Sequence, residues 1–244
     1  MPNWCYNTIT IEGDAGTLSN MDFIMRSDGY EQQDDMDKTQ GQPMRLVPMP
    51  KVLTGTVSPH RSGEFDHDGT LMGYVNDPEN SYWTPEVYAE RKAEHYALVE
   101  QAKQAEAETG HPDWYGWALE HWDTKWAMQV RSYDFSPEEG YITISGDTAW
   151  APPIALLKNI SLRFPVTISI SFVEEGMDFI GAAVIRDGER WVSDGSFSDH
   201  LPDDFDWDND DAYDVQQEVR DRLFAEHESA AAASALQSTQ FMNG

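Results

Sequence analysis

Cysteine is almost missing from this chain of 244 residues: Cys5 stands alone, which excludes an intramolecular disulfide and a cysteine-rich zinc site and fits a reducing compartment. Positive charge is scarce too. Sixteen lysines and arginines face 44 acidic residues, for a formal net charge of −28. Such a polyanion is repelled by nucleic acid, so direct DNA or RNA binding is not expected. No apolar run reaches the length of a membrane span, and no basic segment followed by an apolar one opens the chain, so no membrane association is expected and a cytoplasmic location is. The patterns GxxxxGK(S/T), GxGxxG and HExxH are absent, and with them the usual phosphate-loop, dinucleotide and zinc-protease signatures.

Aromatic residues are what the chain has in plenty, and burial is expected to rest on them and on methionine. Four of the nine tryptophans fall in the thirteen residues from Trp114 to Trp126. Trp114, Trp117, His121 and Trp122 recur at i, i+3, i+7 and i+8, which puts them on one face of a short helix started by Asp113. Asp123 and Thr124 then break the pattern, and Trp126 leads into a strand.

Elsewhere, Ile9 and Ile11 alternate with Thr8, Thr10 and Glu12 in a strand near the start. Leu18, Met21, Phe23, Ile24 and Met25 mark an amphipathic helix capped by Asp14 or Thr17. The prolines at 48 and 50 of Leu46-Val-Pro-Met-Pro-Lys-Val-Leu53 predict an extended strap. Pro85 opens a helix with Thr84 as its cap and Gly110 as its terminator. Strands are expected at 126–135 and 141–145 around Ser136-Pro-Glu-Glu-Gly140, a helix from 152, and a cleanly alternating strand at 166–173. A hairpin follows over 178–192, turning at Arg186-Asp-Gly188. From Asp199 to Asp214 there are eight aspartates and no lysine or arginine. A helix over 213–227 and a flexible Ala-Ser-Gln tail over 229–244 complete the expectation.

Strand, helix, strand, strand, helix, strand is the ferredoxin-like, or split βαβ, order. The expected fold is therefore α+β: a ferredoxin-like antiparallel sheet with helices on one face, a long insertion after the first strand, and an extra C-terminal hairpin plus helix. Here the tryptophan helix is read as the first crossover. The domain spans residues 1–195 with its insertion at about 27–111, and 196–228 form an acidic segment and helix.

Several motifs carry a resemblance in this order: Met1-Pro-Asn-Trp-Cys-Tyr-Asn7, Leu46-Val-Pro-Met-Pro50, Trp114-Tyr-Gly-Trp117, Trp122-Asp-Thr-Lys-Trp126, Thr148-Ala-Trp-Ala-Pro-Pro-Ile154, Phe164-Pro165 and Glu174-Glu-Gly-Met-Asp-Phe179. Together they resemble the YubB-like, or Api92-like, ferredoxin-like proteins of bacteriophages and plasmids, over about residues 1 to 185. Where that family usually has a glycine before Thr-Lys-Trp, this chain has Asp123. The resemblance implies a phage or plasmid gene product with a ferredoxin-like fold. It brings no catalytic residues, and the acidic segment lies beyond it.

Three clusters invite chemistry and have plainer readings beside them. Cys5 lacks a local activating base and reads as a buried thiol. His60, Asp66, His67 and Asp68 lack the spacing of a complete metal site, and Glu174, Glu175 and Asp178 read as a hairpin rim. No catalytic residue, metal or cofactor is expected. The first expectation is a non-enzymatic inhibitor in the bacterial host cytoplasm that binds a host nucleic-acid-handling or defence protein on its basic surface. Asp203, Asp204, Asp206, Asp208, Asp210 and Asp211 would mimic phosphates, with Trp207 among the anchors. The second is a nucleotide-binding or nucleotide-cleaving module whose pocket is lined by Trp114, Trp117, Trp122, Lys125, Trp126 and Trp150. A structural or assembly component is the third.

Overall fold

Alternation along Trp4–Glu12 (β1) sends Cys5, Asn7, Ile9 and Ile11 into the interior and Tyr6, Thr8 and Thr10 to the other face. The computed structural model describes residues 3–27, 42–58, 84–203, 205 and 212–242. Two units are distinguished, one of Met1–Val47 with His121–Gly244 and one of Pro48–Glu120.

In the first unit β1 pairs antiparallel on both sides. The strands after it are Gln129–Ser136 (β2), Tyr141–Ala149 (β3), Thr167–Glu174 (β4), Phe179–Arg186 (β5) and Glu189–Gly195 (β6). Their order is β2-β3-β1-β4-β5-β6, which is the ferredoxin-like arrangement extended at β4 by one hairpin. That hairpin turns at Asp187 (φ 54°) and Gly188 (φ 77°), the paired positive φ values that an Asp-Gly two-residue turn accommodates. Ile9 lies opposite Ile144 on β3 and Ile170 on β4, so one face of the sheet is aliphatic.

Two helices cover that face. Ala15–Arg26 (α1) is capped by Asp14, whose carboxylate accepts from the backbone N–H groups of Gly16 and Thr17, both at 3.0 Å. It buries Leu18, Met21 and Met25. Its Asp22 accepts from the Tyr133 hydroxyl on β2 at 2.6 Å, and its Arg26 lies over the same ring. The first crossover is thus made by α1 and not by the tryptophan helix, because α1 carries the complete apolar stripe that a sheet face requires. Ile154–Arg163 (α4) buries Ile154, Leu156, Leu157 and Ile160.

Ala212–Met242 (α5) covers the opposite face of β4 to β6, where Val173, Ile180, Phe197, Val219 and Leu223 form a cluster. It runs through the residues expected to be a tail. Alanine is the best intrinsic helix former, and the alanine-rich turns are docked by buried Ala231 and Ala235 and by the Trp191 indole donating to Ser238 at 2.7 Å. Of the expected strap at 46–53, residues 47–50 with both prolines are neither helix nor strand, and short 3-10 turns stand on either side, Pro43–Leu46 and Lys51–Leu53. Pro43 opens the first of them, where the N–H it lacks would go unused.

The second unit contains Pro85–Thr109 (α2), capped by Thr84 and ended by Gly110 at φ 80°. Trp114–Trp122 (α3) follows, its start held by the Asp113 carboxylate accepting from Tyr115 and Gly116; its last two residues belong to the first unit. Among the described residues no helix is long and apolar enough to cross a membrane.

A bulge between Val130 and Ser132 shifts the register of β2 against β3. Gly146 stands opposite, and a Cβ there would lie 2.2 Å from the Gln129 carbonyl oxygen. Gly146→Ala is therefore expected to destabilise the chain by about 1–3 kcal/mol through overpacking, read as a lower urea midpoint. An unchanged midpoint would show that β2 can move aside freely.

Candidate functional site

Three segments meet at the end of the sheet where β1 begins and β3 ends, and buried polar groups tie them together. Asn7, fully buried, donates its amide to the Cys5 carbonyl at 2.8 Å and to the Thr148 hydroxyl at 2.8 Å. Thr148 donates in turn to the Ala151 carbonyl at 2.7 Å. Thr124, also fully buried, grips the last residue of β3 from the other side: its hydroxyl donates to the Ala149 carbonyl at 3.1 Å and accepts from the Ala149 N–H at 3.0 Å. The Trp150 N–H donates to the Asn3 carbonyl at 2.9 Å. Buried polar atoms have to be bonded, so these partners hold the two turns in one arrangement.

What the turns display is aromatic. Trp4, Trp126 and Trp150 are 37%, 37% and 38% exposed. The rings of Trp4 and Trp126 are 6.2 Å apart at 37°. The Lys125 ammonium lies 4.5 Å from the Trp126 centroid and 5.4 Å from that of Trp150, two cation–π contacts that add about 0.5–1 kcal/mol each at such an exposed place. Trp150 adopts φ 75°. A left-handed backbone is a true outlier for so bulky a residue and is sustained only where its surroundings impose it.

Asp123 opens the other turn, also left-handed at φ 60°, a conformation that aspartate tolerates better than most residues. Its carboxylate accepts from the Ala155 N–H at 2.6 Å. It thereby caps α4, whose own preceding residue, Pro153, makes no side-chain cap. Burial pushes the Asp123 carboxyl above its ordinary range; the Ala155 hydrogen bond and the charges of Arg190 and Lys158 pull the other way.

Of the six residues expected to line a pocket, the structure brings together Lys125, Trp126 and Trp150. Trp122 is buried and donates its indole N–H to the Val47 carbonyl at 2.9 Å, a structural use. Trp114 and Trp117 lie in the second unit, the first with its backbone N–H on the Thr56 hydroxyl and the second buried. Trp4 completes the patch and was missed, although its place one residue from Cys5 puts it on the outward phase of β1.

The patch continues along the same end of the sheet. A Cβ on Gly176 would lie 2.7 Å from the Asn3 amide nitrogen, so the β4–β5 turn adjoins the start of β1. Met177 in that turn is exposed. Asp178 accepts from the Ser196 and Ser198 hydroxyls at 2.6 and 2.7 Å, which joins the turn to the segment after β6. Asp203 is exposed. Asp204, Asp206, Trp207, Asp208, Asp210 and Asp211 lie outside the described residues, as do His60, Asp66, His67 and Asp68.

The three carboxylates of the rim are each committed separately. Glu174 accepts from the N–H groups of Gly176 and Met177, Glu175 pairs with Arg220, and Asp178 holds the serines. Cys5 is fully buried; burial and the nearby Glu174 push its thiol far above the usual range, which keeps it protonated and a poor nucleophile.

Residues 121–219 match the family model described as the ferredoxin-like domain in Api92-like protein, in agreement with the topology. A solved structure, the Api92 protein from Yersinia pseudotuberculosis, is similar at 12% identity and a TM-score of 0.40, over 80% of this chain and 98% of that one. No curated protein matches the chain.

The Asp123 geometry separates three substitutions. Asp123→Ala loses the cap and keeps the unfavourable φ, and is expected to destabilise by about 1–2 kcal/mol. Asp123→Gly relieves the backbone and loses only the cap. Asp123→Asn keeps both and removes the charge. Because the folded-state carboxyl is raised, its stabilising contribution is complete below the ordinary carboxylate pKa and is lost as pH rises through the folded value. The asparagine variant should therefore gain on the parent chain as pH climbs above the ordinary carboxylate range, in paired denaturation curves. A gain of the opposite sign would show that the folded state prefers the charged form.

Proposed function

We propose that this is a non-enzymatic phage or plasmid protein of the YubB-like and Api92-like kind that works in the bacterial cytoplasm. It binds a host nucleic-acid-handling or defence protein on its basic surface and displaces nucleic acid from it. The observation that supports the reading is the position of the exposed tryptophans: Trp4, Trp126 and Trp150 sit at the end of the sheet from which the chain leaves β6 toward its aspartate-rich segment. Acidic charge and aromatic anchors have complementary tasks in association. A net charge of −28 steers a basic partner and accelerates encounter, whereas half-exposed tryptophans on a rigid base are the residue type that dominates interface energies. A stacking nucleotide is a poorer fit, because Lys125 already covers ring faces of Trp126 and Trp150.

The test passes host lysate over the immobilised chain and over a variant with Asp203, Asp204, Asp206, Asp208, Asp210 and Asp211 changed to Asn. Both columns are eluted with duplex DNA and then with stepped salt. DNA is expected to release a basic nucleic-acid-binding protein from the parent column and little from the variant, and Trp4→Ala with Trp126→Ala should lower the salt needed for release. Identical release from both acidic and neutralised columns, or none by DNA, refutes mimicry.

A further inference from the structure

The two edges of the sheet are built differently. At one edge β2 carries the bulge between Val130 and Ser132, a device that twists an edge away from further pairing. At the other, β6 pairs with β5 in unbroken register from Glu189 opposite Arg186 to Gly195 opposite Ile180, and among the described residues no strand pairs with its outer side. One face of β6 is used internally: Trp191 bonds Ser238, and the Ser193 hydroxyl lies 2.8 Å from His227 Nδ1. The other face presents Arg190, Val192 and Asp194, all exposed. With Pro152, Ile154, Phe172 and Phe179 they wall an open groove of about 540 Å³.

Charge on an edge strand commonly prevents pairing, but the order of these charges matters. Arg190 and Asp194 stand two residues either side of Val192. When such a strand meets its own copy antiparallel, about a two-fold axis through Val192, Arg190 faces Asp194 of the copy and Asp194 faces Arg190. The two Val192 side chains meet at the centre. Both ion pairs form at once, as an isologous contact requires, and a slip by two residues breaks both of them.

We propose that β6 pairs antiparallel with β6 of a second copy of this chain, joining two six-stranded sheets into one continuous sheet. Main-chain hydrogen bonds along the edge supply the attraction. The Arg190–Asp194 pairs set the register. Two chains of net charge −28 repel each other at long range, and that repulsion is screened as the Debye length shortens. Self-association therefore strengthens with moderate salt, opposite in sign to association with a basic partner.

Sedimentation equilibrium of the full chain tests this between about 1 and 100 micromolar, in about 0.05 and 0.3 M salt. A monomer–dimer equilibrium that tightens with salt is expected. Arg190→Asp and Asp194→Arg, made singly, each set like charges opposite one another and should weaken the dimer about tenfold or more. The double exchange, Arg190→Asp with Asp194→Arg, keeps the net charge and rebuilds both pairs, so it should restore the dimer. Thermal melts by circular dichroism confirm that each variant is folded. A chain that stays monomeric at both salts overturns the proposal, and so does a dimer that neither single reversal weakens or that the exchange fails to restore.

Discussion

A buried amide holds together the end of the sheet at which β1 begins and β3 finishes. Asn7 projects from the central strand into an interior where its side chain has no access to water, and an unsatisfied amide there would cost several kcal/mol, on the order of 2–7. Its two N–H groups reach the Cys5 carbonyl and the Thr148 hydroxyl, and Thr148 hands the constraint on to Ala151. The turn between β3 and α4 thereby becomes a rigid platform. Trp150 is presented by that platform in a backbone conformation it would not adopt alone.

Exposed tryptophans from separate parts of the chain meet at one end of the sheet, the end at which β6 also finishes. The tryptophans come from the start of β1, the turn after α3 and the end of β3. The aspartates follow β6. Each is an ordinary surface feature taken singly: an acidic run is solvated, and one exposed tryptophan needs no explanation. Antiparallel pairing changes this, because it brings the start of β1, the ends of β3, β4 and β6 and the starts of β2 and β5 to the same end of the sheet. A protein with so few cations also places one of them, Lys125, over the rings of two indoles.

Local signals with a single physical solution were legible. The alternating strand at Thr167–Glu174, the Asp-Gly hairpin turn, the Thr84 and Asp14 caps and the Gly110 terminator all stand where the sequence pattern puts them. Misreadings arose where one pattern admits two structures. Prolines at 48 and 50 exclude a helix interior, and residues 47–50 are neither helix nor strand, but that pattern does not foretell the 3-10 turns formed on either side of them. The alanine-rich C-terminus has too little apolar surface to fold alone, and it is helical through Met242 with buried Ala231 and Ala235 on its docked side. The tryptophan cluster in sequence was misleading as a site. Trp122 is consumed by the core, Trp114 and Trp117 belong to the other unit, and Trp4 enters from the far end of the sequence.

The amino-acid sequence by itself determined the α+β class, the ferredoxin-like strand order, the acidity and the positions of most element ends, because periodicity, caps and turn chemistry act within a few residues. Only the tertiary structure decided which tryptophans share a surface, that α1 makes the crossover, and that Asp123 caps a helix thirty residues downstream. Those outcomes depend on strand register and on which buried polar groups find partners, and both are set by contacts between residues far apart in the chain.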